Sequence, residues 1–132
     1  MASEGEGAVI RDVEFNTDFL KGPQSFQKTW EIQLSRPITR IKGVLLLEMS
    51  FWIGLIRLRT VVKEGDFTIY MHDFDIFRGY VKTLPFENIA KTINIDIPIQ
   101  TRKFIQATLQ ITLIVRTSLG SLKGRIVEIQ VE

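Results

Sequence analysis

Ile105-Gln106-Ala107-Thr108-Leu109-Gln110-Ile111-Thr112-Leu113-Ile114-Val115 decides the fold. Every odd position is apolar, and Gln106, Thr108, Gln110 and Thr112 fill the even ones before Ile114. Side chains alternate across a pleated strand, so the stretch reads as one long strand with one face in a core. Its other face is polar but uncharged. A strand left to solvent commonly carries Lys or Glu to discourage pairing, so this face predicts contact with something, most simply another copy of the chain.

The same alternation recurs outward from this strand. Val9–Phe15 is a weaker strand, and Lys21-Gly22-Pro23 marks a turn. In Phe26–Leu34, Phe26, Trp30, Ile32 and Leu34 share a phase until Arg36-Pro37 ends the run. Ile38–Lys42 leads into Gly43–Met49, where both faces are apolar, which predicts a central strand covered on two sides. At Phe51-Trp52-Ile53-Gly54 the apolar phase moves from odd (Leu45, Leu47, Met49) to even positions (Ile56, Leu58). A one-residue shift flips every side chain, so a bulge or tight turn is expected near Gly54.

Further on, Glu64-Gly65-Asp66 reads as a hairpin turn before Phe67–Met71, and His72-Asp73 as a loop before Ile76–Leu84. Pro85–Lys91 is expected to form one helical turn before the clean alternation of Thr92–Ile97. Ser118-Leu119-Gly120-Ser121 reads as the turn between strand 104–116 and a last strand, Leu122–Val131. The sum is an all-β chain of eight to ten strands, an antiparallel, jelly-roll-like β-sandwich. It is expected to form a single domain over residues 9–132, preceded by a flexible arm, residues 1–8.

Composition narrows the function classes. The 132 residues suffice for one core, and 45% of them are hydrophobic, with a mean hydropathy of +0.10. A domain of this size has much surface for its volume, so part of that apolar content is expected at an interface. The absence of cysteine removes disulfides, thiolate nucleophiles and cysteine-ligated metals. Net charge is +2, and the basic residues are dispersed without interleaved aromatics, which argues against nucleic acid as a partner. Met1–Gly7 lacks the basic and apolar regions of a secretory signal. Gly43–Met49, with Glu48 inside it, is too short and too charged for a membrane span.

Little in the chain carries chemistry. His72-Asp73-Phe74-Asp75 is the one acid–base or metal cluster, and it needs further ligands that the sequence does not supply. In an extended strand Asp73 and Asp75 would share a face, with His72 turned away, while in a turn all three could converge. Gly120-Ser121-Leu122-Lys123-Gly124 lacks phosphate-loop spacing, and one histidine supports no triad. The reading is therefore not an enzyme, with no cofactor and no metal. Trp30 lies on an apolar face and belongs to the core, while Trp52, beside the phase change, is a candidate for exposure and sugar stacking.

The segment from Trp30 to Ile97 adds a resemblance. Leu34-Ser35-Arg36-Pro37-Ile38, then Arg40-Ile41-Lys42-Gly43-Val44, then Leu58–Gly65 and Ile69-Tyr70 are followed by Leu84-Pro85-Phe86-Glu87-Asn88 and Ile93-Asn94-Ile95-Asp96-Ile97. In this order they resemble the SPOCS domain of spore coat and exosporium assembly proteins. The resemblance implies a non-enzymatic module that binds other coat proteins at a spore surface.

The leading expectation is a self-assembling structural subunit of a spore-surface layer, appendage or similar extracellular assembly. Its partners would be copies of itself and other coat proteins. The expected subunit contact comprises Gln106, Thr108, Gln110, Thr112 and Trp52, with Val9 and Ile10 where the N-terminal arm joins the domain. The alternatives are a viral capsid accessory or decoration protein and a carbohydrate- or ligand-binding β-sandwich module.

Overall fold

In the computed structural model, residues 8–17, 23–34, 37–81, 88–99 and 107–132 are described, and they contain six strands. These are β1 (Ala8–Thr17), β2 (Gln24–Leu34), β3 (Arg40–Glu64), β4 (Phe67–Val81), β5 (Ile89–Pro98) and β6 (Ala107–Val131). All pairings are antiparallel. β3 and β6, each of 25 residues, pair with one another from Ile41–Val131 to Lys63–Thr108.

The other four strands each take half of one of these two. β1 lies on the C-terminal half of β6 and β5 on the N-terminal half of β3. β2 lies on the N-terminal half of β6 and β4 on the C-terminal half of β3. The result is two four-stranded layers, β1-β6-β3-β5 and β2-β6-β3-β4, joined because β3 and β6 run through both. The layers meet in an all-β sandwich, with the ring of Phe15 on β1 stacked 6.1 Å from that of Phe26 on β2.

The passage between layers sits at the phase change read from the sequence. Met49 is buried and so is Trp52, three residues on, while Phe51 takes a positive φ of 45°. Phe51 and Trp52 together face Gly120, between the pairs Ser50–Ser121 and Ile53–Leu119. Two residues against one is a bulge, which kinks a strand and increases its twist. Gly120 has φ +96°, and a Cβ there would lie 1.9 Å from the Phe51 carbonyl oxygen.

Trp52 is therefore core, not surface, which corrects its expected exposure. Its ring lies 5.5 Å from Phe77, over the bare Cα of Gly54, where a Cβ would come within 2.5 Å of the indole. Its Nε1–H donates to Thr117 Oγ1 at 2.9 Å, and the Thr117 hydroxyl donates in turn to Thr17 Oγ1 at 3.3 Å. No buried side-chain nitrogen or oxygen among the described residues lacks a partner. Trp30 is half-buried against the core, as expected from its phase.

Other boundaries move. Gly65, at φ +60°, and Asp66 form the expected hairpin turn, glycine supplying the positive φ that short hairpin turns need. His72-Asp73 is no loop, because β4 runs through it opposite Thr60 and Arg59. Ser118–Ser121 is no turn, because β6 continues through it. The eight to ten expected strands are six among the described residues, since β3, β4 and β6 each run through a place where the sequence suggested a break. Ile89-Ala90-Lys91 extend β5 instead of closing a helical turn, and Pro85–Glu87 lie outside the described residues, as do residues 1–7 of the arm.

Gly120→Ala is expected to lower stability by about 3 kcal/mol, since the Cβ meets both a positive φ and a carbonyl oxygen. Trp52→Phe, which keeps most of the bulk but removes the donor, should cost about 1–2 kcal/mol. Urea unfolding of both variants against the parent checks the pair.

Candidate functional site

Each layer has an outer face, and the two differ in how far their polar groups are already used. On the β2-β6-β3-β4 layer, one row of register reads Thr29, Thr112, Arg59, Asp73 and the next Gln27, Ile114, Arg57, Asp75. Arg59 Nε donates to Asp73 Oδ1 at 2.7 Å, and Arg57 Nε to Asp75 Oδ1 at 2.6 Å. Asp73 and Asp75 share a face, and each is paired with an arginine of β3. The described residues hold no group of three or more potential metal ligands.

These contacts tune the charges. The hydrogen bond from Arg59 holds the Asp73 carboxyl below its ordinary range, and that from Arg57 does the same for Asp75, both against an opposing effect of burial. The two guanidinium groups are raised in return.

The expected subunit contact occupies the middle of this face. Thr108 donates to Gln33 Oε1 at 3.2 Å, Gln110 Nε2 to Glu31 Oε1 at 2.9 Å, and the hydroxyls of Thr112 and Thr29 lie 2.9 Å apart. The polar character that suggested a partner is thus spent on the neighbouring strand β2. Thr112 is itself buried, as are Ile114 and Val61 beside it. Of the remaining expected contact residues, Trp52 and Ile10 are buried in the core, while Gln106 and the side chain of Val9 lie outside the described residues.

The outer face of β1-β6-β3-β5 is built differently. Its rows are Gln130, Lys42, Asp96, then Arg11, Glu128, Val44, Asn94, then Glu14, Arg125, Leu46, Thr92, and finally Asn16, Lys123, Glu48, Ala90. The sequence predicts Gly43–Met49 to be covered on both sides. Instead Val44 is half-buried and Leu46 is 41% exposed, with no described element over them.

Depressions lie at either end of this apolar ridge. One, of about 300 Å³, is lined by Lys42, Val44, Asn94, Asp96, Glu128 and Gln130. The other, of about 410 Å³, is lined by Glu14, Asn16, Leu46, Glu48, Lys123 and Arg125. Some groups are engaged: Arg40 Nη1 donates to both Asp96 oxygens at 2.8 and 2.9 Å, and Gln130 donates to Glu128. The side-chain amides of Asn94 and Asn16 make no hydrogen bond within the described structure. Arg125 donates to Asp12, which sits at a positive φ of 51° in β1.

Sequence reasoning passed over this face because its residues come from four strands far apart in the chain. One signal was present: Val44 and Leu46 are apolar on the phase opposite to the core residues Leu45 and Leu47.

No protein-family model matches the chain, and no curated protein matches it. Among solved structures, the carbohydrate-binding module TmCBM61, determined in complex with β-1,4-galactotriose, is similar in fold at a TM-score of 0.50 and 15% identity. The similarity covers 92% of this chain and 69% of that one. At that identity it bears on the fold alone.

The ion pairs on the β2-β6-β3-β4 face predict a pH dependence. Asp73 and Asp75 have folded-state pKa values below their unfolded ones. Their stabilisation is complete above the ordinary carboxylate value of about 3.9 and is lost as pH falls through the depressed folded values. Asp73→Asn with Asp75→Asn should therefore lower the Tm at neutral pH and flatten its fall below about pH 4, as followed by thermal melts across that range.

Proposed function

We propose that this chain is a non-catalytic binding module that takes a carbohydrate chain on the outer face of β1-β6-β3-β5. The observation that carries the reading is the open ridge of Val44 and Leu46 between two depressions lined by amide and charged groups. A sugar ring has the same two-sided character, a C–H surface and a rim of hydroxyls. An exposed apolar ridge receives the first. Side-chain amides and carboxylates, which can hydrogen-bond adjacent hydroxyls, receive the second.

The charge pattern supports a neutral ligand. Lys42, Lys123 and Arg125 are interspersed with Glu14, Glu48, Glu128 and Asp96 along the face, so no single-sign field favours a polyanion. The depressions are shallow and lie along one sheet face, a shape suited to an extended chain more than to an enclosed small molecule. The fold shared with a galactotriose-bound module is consistent with this reading.

A structural role in a surface assembly, the reading drawn from the polar strand and the coat-domain resemblance, is a second proposal. The observation that favours it is an exposed apolar stretch on β4, whose Met71 lies in one row of register with Gln110 through Val61.

A glycan array, followed by affinity electrophoresis in soluble polysaccharides including β-1,4-galactan, tests the carbohydrate reading. The expected result is retardation by at least one neutral polysaccharide. Leu46→Ser and Asn94→Ala should each weaken binding by ~10-fold, about 1.4 kcal/mol, while Gln110→Ala leaves it unchanged. Absence of any glycan binding, or loss with Gln110→Ala alone, overturns the site.

A further inference from the structure

Each of the outer strands β1, β2, β4 and β5 hydrogen-bonds to one neighbour, and among the described residues no strand lies on its other side. A free edge is a template for another chain unless something spoils it. β4 is spoiled by its backbone, since Ile69 and Ile76 are each bulged out of the register with β3. β1 is interrupted at Asp12, with its positive φ of 51°, and carries Arg11 and Glu14 on either side. β2 and β5 have neither device. β2 follows β6, and β5 follows β3, from end to end without a shift of register.

These two regular edges each break their apolar phase once, near mid-strand. On β2, Phe26, Trp30, Ile32 and Leu34 point to the core, and the residue of that phase between Phe26 and Trp30 is Lys28, opposite the buried Leu113. On β5, Ile89, Ile93, Ile95 and Ile97 point to the core, and Lys91 stands between Ile89 and Ile93, opposite the buried Leu47. Both lysines are exposed although they stand on the core side. Their ammonium groups lie over aromatic rings at the rim. Lys28 Nζ is 5.4 Å from the centre of the Trp30 ring, and Lys91 Nζ is 5.3 Å from that of Phe77 in the facing layer.

The two positions correspond. One row across the core reads Phe74, Leu58, Leu113, Lys28, and the other reads Phe15, Gly124, Leu47, Lys91. Each crosses its layer from an aromatic ring at one edge to a lysine at the other. Stability alone does not call for lysine at either place, because valine would extend the apolar row and favours strands more. What lysine adds is a charge that a further strand, laid on the edge with its own apolar row facing inward, would have to bury. We infer that Lys28 and Lys91 are edge guards, which keep a second copy of this chain from adding to β2 or β5 by strand pairing. The guards leave both outer faces open, so they confine any contact between copies to side chains. They stand or fall independently of the carbohydrate reading, since their test uses no ligand.

Sedimentation of the full chain carrying Lys28→Val and Lys91→Val, from roughly 1 µM to 1 mM to span weak association, tests the inference against the 15.2 kDa parent. The valine pair should associate at least ~10-fold more strongly than the parent, about 1.4 kcal/mol. It should also show the amide I infrared band of strands paired between molecules, with a urea midpoint no lower than the parent's. Lys28→Thr with Lys91→Thr, neutral but polar, should shift association the same way and replaces the valine pair if that pair fails to fold. Lys28→Glu with Lys91→Glu keeps a charge at each edge and should sediment as the parent does. So should Lys63→Val, which removes a lysine from the outer face of β3, opposite Thr108 and Thr68. Valine and threonine pairs that sediment like the parent overturn the inference. So does a glutamate pair or a Lys63→Val variant that associates as strongly as the valine pair. Association accompanied by a lowered urea midpoint in both neutral pairs overturns it as well, because exposure of the core would then be the cause.

Discussion

The fold depends on the pairing of β3 with β6 through the place where both change phase. Each strand serves two layers, so the residues that face the core before the bend must still face it afterwards. A continuous period-2 pattern cannot do this across a kink. The displaced phase of Trp52, the positive φ of Phe51 and the bare Cα of Gly120 meet that constraint together. The Trp52–Thr117–Thr17 hydrogen bonds then tie β3, β6 and β1 beside the bend, with the polar groups of the junction satisfied inside an apolar core.

The two outer faces show how alike in composition and unlike in availability two polar surfaces can be. Thr, Gln, Arg and Asp on the β2 side are matched across adjacent strands by their own hydrogen bonds. On the β1 side the bulged positions near Asp12 and Val127 and the apolar ridge at Val44 and Leu46 interrupt such matching. Amides there remain open beside exposed methyl groups.

Local alternation made much of the architecture legible. The odd-numbered core of Ala107–Val115, the phase change at Phe51–Gly54 and the turn at Gly65-Asp66 each rest on neighbouring residues, and each is present. The misreadings share a physical cause, partners distant in sequence. Ser118-Leu119-Gly120-Ser121 has the composition of a turn, but Gly120 is there to admit the Phe51 carbonyl from another strand. His72-Asp73 looks like a polar loop until Arg57 and Arg59 are placed opposite Asp75 and Asp73. The polar residues Thr108, Gln110 and Thr112 pointed to a contact, and their side chains meet those of β2 in the same chain. No local pattern could assemble Lys42, Asn94, Glu128 and Gln130, which meet only through strand order.

The strand order also sets a timetable for folding. β1 and β2 pair with β6 alone, and β6 is the last of the six strands in the chain. During synthesis the first two strands wait without their partner until β6 has left the ribosome. Only β3 with β4 and β5 can assemble early, and that half would display the apolar sides of Leu45, Leu47, Ile56 and Leu58 with nothing yet laid against them. Such long-range closure is slow and leaves an aggregation-prone interval. A domain built this way closes its core only when β6 joins, since β6 pairs with β1, β2 and β3.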